Sequence, residues 1–113
     1  VLVKNGVKYI IADKKDTYTS IADYFGLAAF DLLRYNDAKT GKSLSPGDIV
    51  YLESKRKTSA EDFHIAASGE TMRGISQNYA VQLKELYRKN RMKQGSEPKI
   101  GQKIWLKNAM PVY

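Results

Sequence analysis

Apolar residues recur along this chain in two rhythms. Tyr9 and Ile11 alternate with Lys8 and Ile10, and Phe63 and Ile65 flank His64. That period of two predicts short strands, each with one inward face. Tyr18, Ile21, Ala22 and Phe25 fall at i, i+3, i+4 and i+7, as do Met72, Ile75, Ser76 and Tyr79, which predicts amphipathic helices of about two turns. Thr17 and Thr71 stand where a helix N-cap belongs, each with an acid just before it to suit the helix dipole. Breaks follow at Gly26-Leu27 and Ala80-Val81. Helical spacing then resumes at Ala29, Leu32, Leu33 and Asn36, and at Leu83, Leu86, Tyr87 and Asn90. Asn36 and Asn90 fall where a left-handed C-cap would end the second helix. Closing strands over 49–52 and 103–106 put Val50, Leu52, Ile104 and Leu106 inward.

The two series are copies of one another. At a shift of 54 residues, the spacing from Thr17 to Thr71, Ile11-Ala12 meets Ile65-Ala66 and Ile21 meets Ile75. In the same register Leu32, Arg34 and Asn36 meet Leu86, Arg88 and Asn90, and Gly41 and Gly47 meet Gly95 and Gly101. No gap is needed from strand to helix to strand, so the chain is a tandem repeat. The organisation read from this is a first repeat over 1–53 with its core at 9–52, a basic linker over 54–61, and a second repeat over 62–113 with its core at 63–106. Lys55-Arg56-Lys57-Thr58-Ser59-Ala60 reads as exposed. Each copy runs strand–helix–helix–strand. The expected class is α+β: two βααβ units, each a two-stranded antiparallel sheet with two helices packed on one face. Such small sheets and short helices are marginal alone, so core and local order form together.

Composition narrows the chemistry. At 113 residues, 42% hydrophobic and 11% aromatic, the chain is globular. No apolar run approaches the ~18 residues of a membrane span. The start, Val1-Leu2-Val3-Lys4-Asn5-Gly6, is too short in apolar residues for a signal peptide and lacks an initiator Met, so the chain reads as a piece of a longer or processed protein. The absence of Cys removes disulfides, Cys-ligated zinc and thiol nucleophiles. His64 is the only histidine, which argues against a multi-His metal site or a Ser-His-Asp triad; it reads as a half-exposed strand residue. No cofactor and no metal are expected. The formal net charge of +7 is uneven. Residues 1–53 hold seven basic and seven acidic residues; 62–113 hold nine basic and four acidic. An anionic partner is therefore expected at the second half. Lys84, Arg88 and Arg91 form a stripe there, whose default reading is a solvated helix face.

The segment Phe63-His64-Ile65-Ala66-Ala67-Ser68-Gly69-Glu70-Thr71-Met72 resembles the opening of the LysM (lysin motif) domain, aromatic-x-Val-x-x-Ser-Gly-Asp-Thr-Leu. Ile75-Ser76-Gln77-Asn78-Tyr79 is similar to that family's first helix, and Leu86-Tyr87-Arg88-Lys89-Asn90 to the end of its second. The finish Ile100-Gly101-Gln102-Lys103-Ile104-Trp105-Leu106 resembles Pro-Gly-x-x-Leu-x-Ile. Copy one matches through Asp16-Thr17-Tyr18, Ile21-Ala22, Phe25-Gly26, Leu32, Asn36 and Ser45-Pro46-Gly47-Asp48. The resemblance covers 88 of the 113 residues. It implies the βααβ fold and binding of N-acetylglucosamine-containing glycan, peptidoglycan first and chitin-type oligosaccharide second. It also implies a cell-envelope or extracellular location and an upstream catalytic domain of the glucosaminidase kind. Lys15 stands where the family has Gly, Ile100 where it has Pro, and Glu70 where it has Asp, and copy two is the better-matched binder.

On this resemblance the groove lies where the loop after strand one approaches the loop before strand two. The candidate glycan contacts are Gly69, Glu70, Thr71, Met72, Pro98, Lys99, Ile100 and Gly101 in copy two. In copy one they are Asp16, Thr17, Tyr18, Leu44, Ser45, Pro46 and Gly47. An N-acetyl group needs one donor, one acceptor and a small apolar notch, which two short loops with bare backbone can offer. Met72 or Tyr18, with Ile100 or Leu44, would form the notch. Thr17 and Thr71 read equally as caps, and Met72 and Tyr18 as core. Ile10/Tyr51 and His64/Trp105 are expected as apolar patches on the uncovered sheet faces.

Two other classes compete. A basic nucleic-acid-binding or protein-interaction module would use the net charge and the tyrosines, but copy one is neutral and no aromatic-basic stacking motif stands out. Hydrolysis would need two carboxylates flanking one cleft. Glu70, Glu85, Asp48 and Asp31 lie instead on polar helix faces or caps of units too small to enclose one.

Overall fold

The computed structural model describes residues 1–112 and separates into two compact units, Val1–Lys55 and Arg56–Tyr113. In the first unit, β1 (Leu2–Lys4) and β2 (Val7–Ile11) are followed by α1 (Tyr18–Phe25), α2 (Ala29–Tyr35) and β3 (Ile49–Tyr51). The second unit holds β4 (Phe63–Ile65), α3 (Met72–Tyr79), α4 (Leu83–Lys89) and β5 (Lys103–Trp105). β2 pairs antiparallel with β3 and β4 with β5, Tyr9 opposite Tyr51 and Phe63 opposite Trp105. The fold is thus α+β, built of two βααβ units, and the first carries an additional strand. β1 folds back on β2 through Asn5 and Gly6, at φ 52° and 73°. Asn-Gly tolerates the positive φ that a two-residue hairpin needs, so this sheet has three strands rather than two.

The helix boundaries follow from local chemistry. The Thr17 hydroxyl accepts the Ser20 N–H at 3.0 Å and the Ser20 hydroxyl accepts the Thr17 N–H at 2.9 Å, a reciprocal cap. Thr71 caps α3 through the Gly74 N–H at 3.0 Å. Both first helices end in a left-handed residue, Gly26 at φ 68° and Ala80 at φ 56°. Glycine adopts this region freely; alanine is strained there.

Asn36 and Asn90 are not left-handed caps. Their φ values are −107° and −100°, and the left-handed residues are the next ones, Asp37 and Arg91. The two amides instead join the second helix to the last strand. Asn36 Nδ2 donates to the Leu32 and Tyr51 carbonyls at 2.8 and 2.9 Å, while its Oδ1 accepts the Tyr51 N–H at 2.7 Å. Asn90 does the same with Leu86 and Trp105, at 2.8, 3.0 and 2.6 Å. An amide carries both donor and acceptor, so it satisfies both backbone groups of one strand residue, as a neighbouring strand would.

The strand faces also depart from expectation. Directly opposed residues of an antiparallel pair share a face. Ile10 opposes Val50 and His64 opposes Ile104, and Val50 and Ile104 are fully buried beneath the helices. Ile10 and His64 are therefore inward. Tyr9/Tyr51 and Phe63/Trp105 share the other face, with ring centroids 5.6 and 5.4 Å apart. The Ile10/Tyr51 and His64/Trp105 patches do not exist, and Tyr51 itself is buried. Ile11 and Ile65, expected inward, are about half exposed at 47% and 48%.

Each unit has its own core, around Ile21, Leu32 and Val50 in the first and around Ile75, Leu86 and Ile104 in the second. The segment 54–61 is largely exposed, as its composition suggests, but it is pinned down at Lys55 and Ser59. Lys55 is buried against Asp37 at 2.7 Å. The Arg56 N–H donates to the Ala80 carbonyl at 2.9 Å, and the Arg56 carbonyl accepts from Gln82 at 2.8 Å. Lys57 offers its carbonyl to the Lys89 ammonium, and Ser59 is buried. The Arg56 backbone thus pairs on both sides with the break between α3 and α4, as a bridging strand residue would.

Candidate functional site

In each unit the loop after the first strand and the loop before the last strand are tied together. Ala12 N–H donates to the Asp48 carbonyl at 2.8 Å, and Gly47 N–H to the Ala12 carbonyl at 2.9 Å. Ala66 pairs in the same way with Gln102 and Gly101, at 2.9 and 2.8 Å. Four turns carry these loops, and each is closed by its last side chain. Asp16 accepts the Asp13 N–H at 2.8 Å and Glu70 the Ala67 N–H at 2.6 Å. Asp48 accepts from Ser45, and Gln102 from Lys99, both at 2.9 Å. Gly47 and Gly101 sit at φ 91° and 82° in matching turns, so Ile100 in place of proline leaves the turn intact. Gly69 is at φ 80°, whereas Lys15 is not left-handed. The first turn changes its backbone rather than straining a lysine.

The loops frame an open cavity of about 580 Å³ in the first unit. Asp16, Thr17, Tyr18 and Leu44 all line it, joined by Ala29 and Leu33 from α2 and by Lys14 and Lys15. Tyr18, a core residue only 5% exposed, and the half-buried Leu44 border the same cavity. Ser45, Pro46 and Gly47 lie beyond it, in the turn tied to Ala12.

The second unit differs at its centre. Met72 is fully buried in the core, so it offers no surface to a ligand and the Met72/Ile100 notch does not form; Ile100 itself is 76% exposed. The Met72 N–H donates across to Glu97 Oε1 at 2.9 Å, a bridge from the start of α3 to the opposite loop. The equivalent first-unit residue is Ser43, which lines the cavity. Thr71 is engaged as a cap, while Pro98 is half-buried and Lys99 and Gly101 are exposed.

Glu70 has a further partner that its sequence position does not suggest. His64 Nε2 lies 2.7 Å from Glu70 Oε1, and His64 Nδ1 lies 2.8 Å from the Tyr79 hydroxyl. With Nε2–H directed at the carboxylate, Nδ1 accepts the hydrogen bond that the Tyr79 hydroxyl donates. The first unit has Ile10, Phe25 and Asp16 at these positions. This joint change within the repeat register is the signal by which the cluster is legible in sequence. Burial, then the carboxylates of Glu61 and Glu70, raises the Tyr79 hydroxyl pKa. The Ala67 N–H, followed by the His64 bond, lowers the Glu70 carboxyl below its usual 4.5. A lowered folded-state pKa stabilises the fold at pH above the unfolded value and is lost as pH falls through the folded one. Glu70→Gln is therefore expected to be less stable than the parent at pH 7, with the gap closing as pH drops below about 4. Paired urea melts at pH 7 and pH 3 read this; a constant gap contradicts it.

The other candidate acids are held locally. Asp31 pairs with Arg34 at 3.0 Å and Glu85 with Arg88 at 2.8 Å. Arg91 of the basic stripe donates to the Met110 carbonyl at 2.8 Å. Among the described residues no helix is long and apolar enough to cross a membrane.

The LysM domain family model matches this chain twice, over residues 13–52 and 64–107. No curated protein matches at a significant level. Among solved structures the chain is similar to the Bacillus cereus spore cortex-lytic enzyme SleL. The identity is 19% and the TM-score 0.40, over 92% of this chain and 23% of that one. It is also similar to SleL of Bacillus megaterium QM B1551, at 16% identity and TM-score 0.39, over 90% and 23%. The chain spans just under a quarter of the length of either enzyme.

Proposed function

From a chain that belongs to the LysM domain family in both of its halves, we propose a module that binds N-acetylglucosamine-containing glycan, peptidoglycan before chitin-type polymers, and holds an attached wall hydrolase on its substrate. LysM domains are glycan-binding modules and are not themselves catalytic. The observation that carries the reading is the first unit's open cavity. It brings Tyr18, Leu33 and Leu44 beside two loops whose turns hold backbone close to its rim. An acetamido methyl fits such an apolar wall, and the amide finds backbone partners at the loops. The module would work in the cell envelope or outside the cell.

The test is retention of the chain on insoluble peptidoglycan, with competition by N-acetylglucosamine oligomers. Retention at modest salt, released by the oligomers, is the expected result. No retention sinks the proposal. Steeply salt-dependent capture by oligonucleotides, indifferent to the oligomers, favours a nucleic-acid module instead.

A further inference from the structure

The first unit is neutral by count, yet its charges are segregated. Five of the seven basic residues in 1–53 line two adjoining cavities: Lys14, Lys15 and Lys42 the one of about 580 Å³, Arg34 and Lys39 one of about 450 Å³. Leu33 and Thr40 border both, so the two adjoin. Of the seven acids only Asp16 is at the lining, and its carboxylate is engaged by the Asp13 N–H. Arg34 is paired with Asp31. Lys14, Lys15, Lys39 and Lys42 are exposed and form no ion pair with any described residue. The second unit, which carries the net positive charge, has Ser68, Gly69 and Ser96 where the first has Lys14, Lys15 and Lys42. Three like charges around the larger cavity, with Lys39 at the adjoining one, repel one another and raise the local concentration of anions.

We propose that the first unit's groove selects acidic N-acetylhexosamine polymers, those bearing carboxylates beside their acetamido groups, over neutral chito-oligomers, with Lys14, Lys15, Lys39 and Lys42 supplying the discrimination. The inference rests on the glycan reading above and adds a substrate class to it. It moves the expected anionic contact from the second half of the chain to the first. In peptidoglycan the carboxylate comes either from a bare muramyl lactyl group or from a stem peptide.

The experiment is an NMR titration of the whole chain with three ligands of similar size. They are a neutral chito-oligomer, a peptide-free glucosaminyl-muramic oligomer, and a muropeptide with its stem. The parent is compared with the triple variant Lys14→Ser/Lys15→Gly/Lys42→Ser, which installs the second unit's own residues. These side chains are exposed, and an unperturbed spectrum away from the groove verifies the fold. The acidic ligands are expected to bind the first unit more tightly than the neutral one. The variant is expected to lose about three- to tenfold more affinity for them than for the neutral one, and raised salt to erase the difference. Whichever acidic ligand shows the loss identifies the carboxylate recognised. Equal affinity for neutral and acidic ligands, or a variant that binds both as the parent does, overturns the charge selection and leaves the glycan reading standing. Shifts with none of the three ligands overturn the glycan reading itself.

Discussion

Asn90→Ala is expected to cost the second unit about 2–4 kcal/mol, and Asn36→Ala the first unit a similar amount. Each substitution removes three hydrogen bonds and leaves the N–H and C=O of Trp105, or of buried Tyr51, without their side-chain partner. A buried backbone group left unpaired costs about 1–3 kcal/mol. A unit of this size has only about 3–8 kcal/mol in total, so the loss is a large part of its stability. Asn→Asp is expected to give no rescue, because a carboxylate keeps the bond from the N–H but faces the two carbonyls with negative charge. Urea unfolding, with hydrogen exchange read separately in each half, measures this. Midpoints within error of the parent would mean that the amides do not hold helix to strand.

Ile104→Ala and Ile65→Ala are expected to differ several-fold in cost although the two residues occupy neighbouring strands of one small sheet. Ile104 is fully buried among Met72, Ile75 and Leu86, and truncating it is expected to cost about 2–5 kcal/mol. Ile65 is 48% exposed on the opposite face, and its truncation is expected to stay near 0.5 kcal/mol. Thermal or urea melts of the two variants decide the face assignment. Equal losses would mean that Ile65 is packed after all.

Part of the candidate site could be read from residues alone. Asp16, Thr17, Tyr18 and Leu44 do share one cavity wall, because the loops that carry them are placed by strands whose pairing the repeat already implied. The failures are equally specific. Met72 occupies the position of Tyr18 and, like it, belongs to its unit's core, but it is wholly enclosed, and Glu97 reaches across to its N–H. Glu97 has no counterpart in the repeat, since the register places Ser43 there. The lysines of the first groove were hidden by a net charge of zero, because a sum over sequence says nothing about which face each charge occupies.

The amino-acid sequence by itself determined the tandem organisation, the strand–helix–helix–strand order shared by the two units and the limits of the first helix in each. These rest on interactions within a few residues: Thr17 with Ser20, Thr71 with Gly74, the left-handed closure at Gly26. Tertiary structure alone decided the rest. Tyr9, Ile10 and Ile11 are all apolar, so a period of two has no preferred phase there, and only the pairing of Ile10 with Val50 chose the inward face. Asn36 found its work fifteen residues away, at the backbone of Tyr51. Which way a side chain points, and which partner satisfies a buried amide, depend on contacts between segments distant in the chain, and these exist only once the sheet has closed.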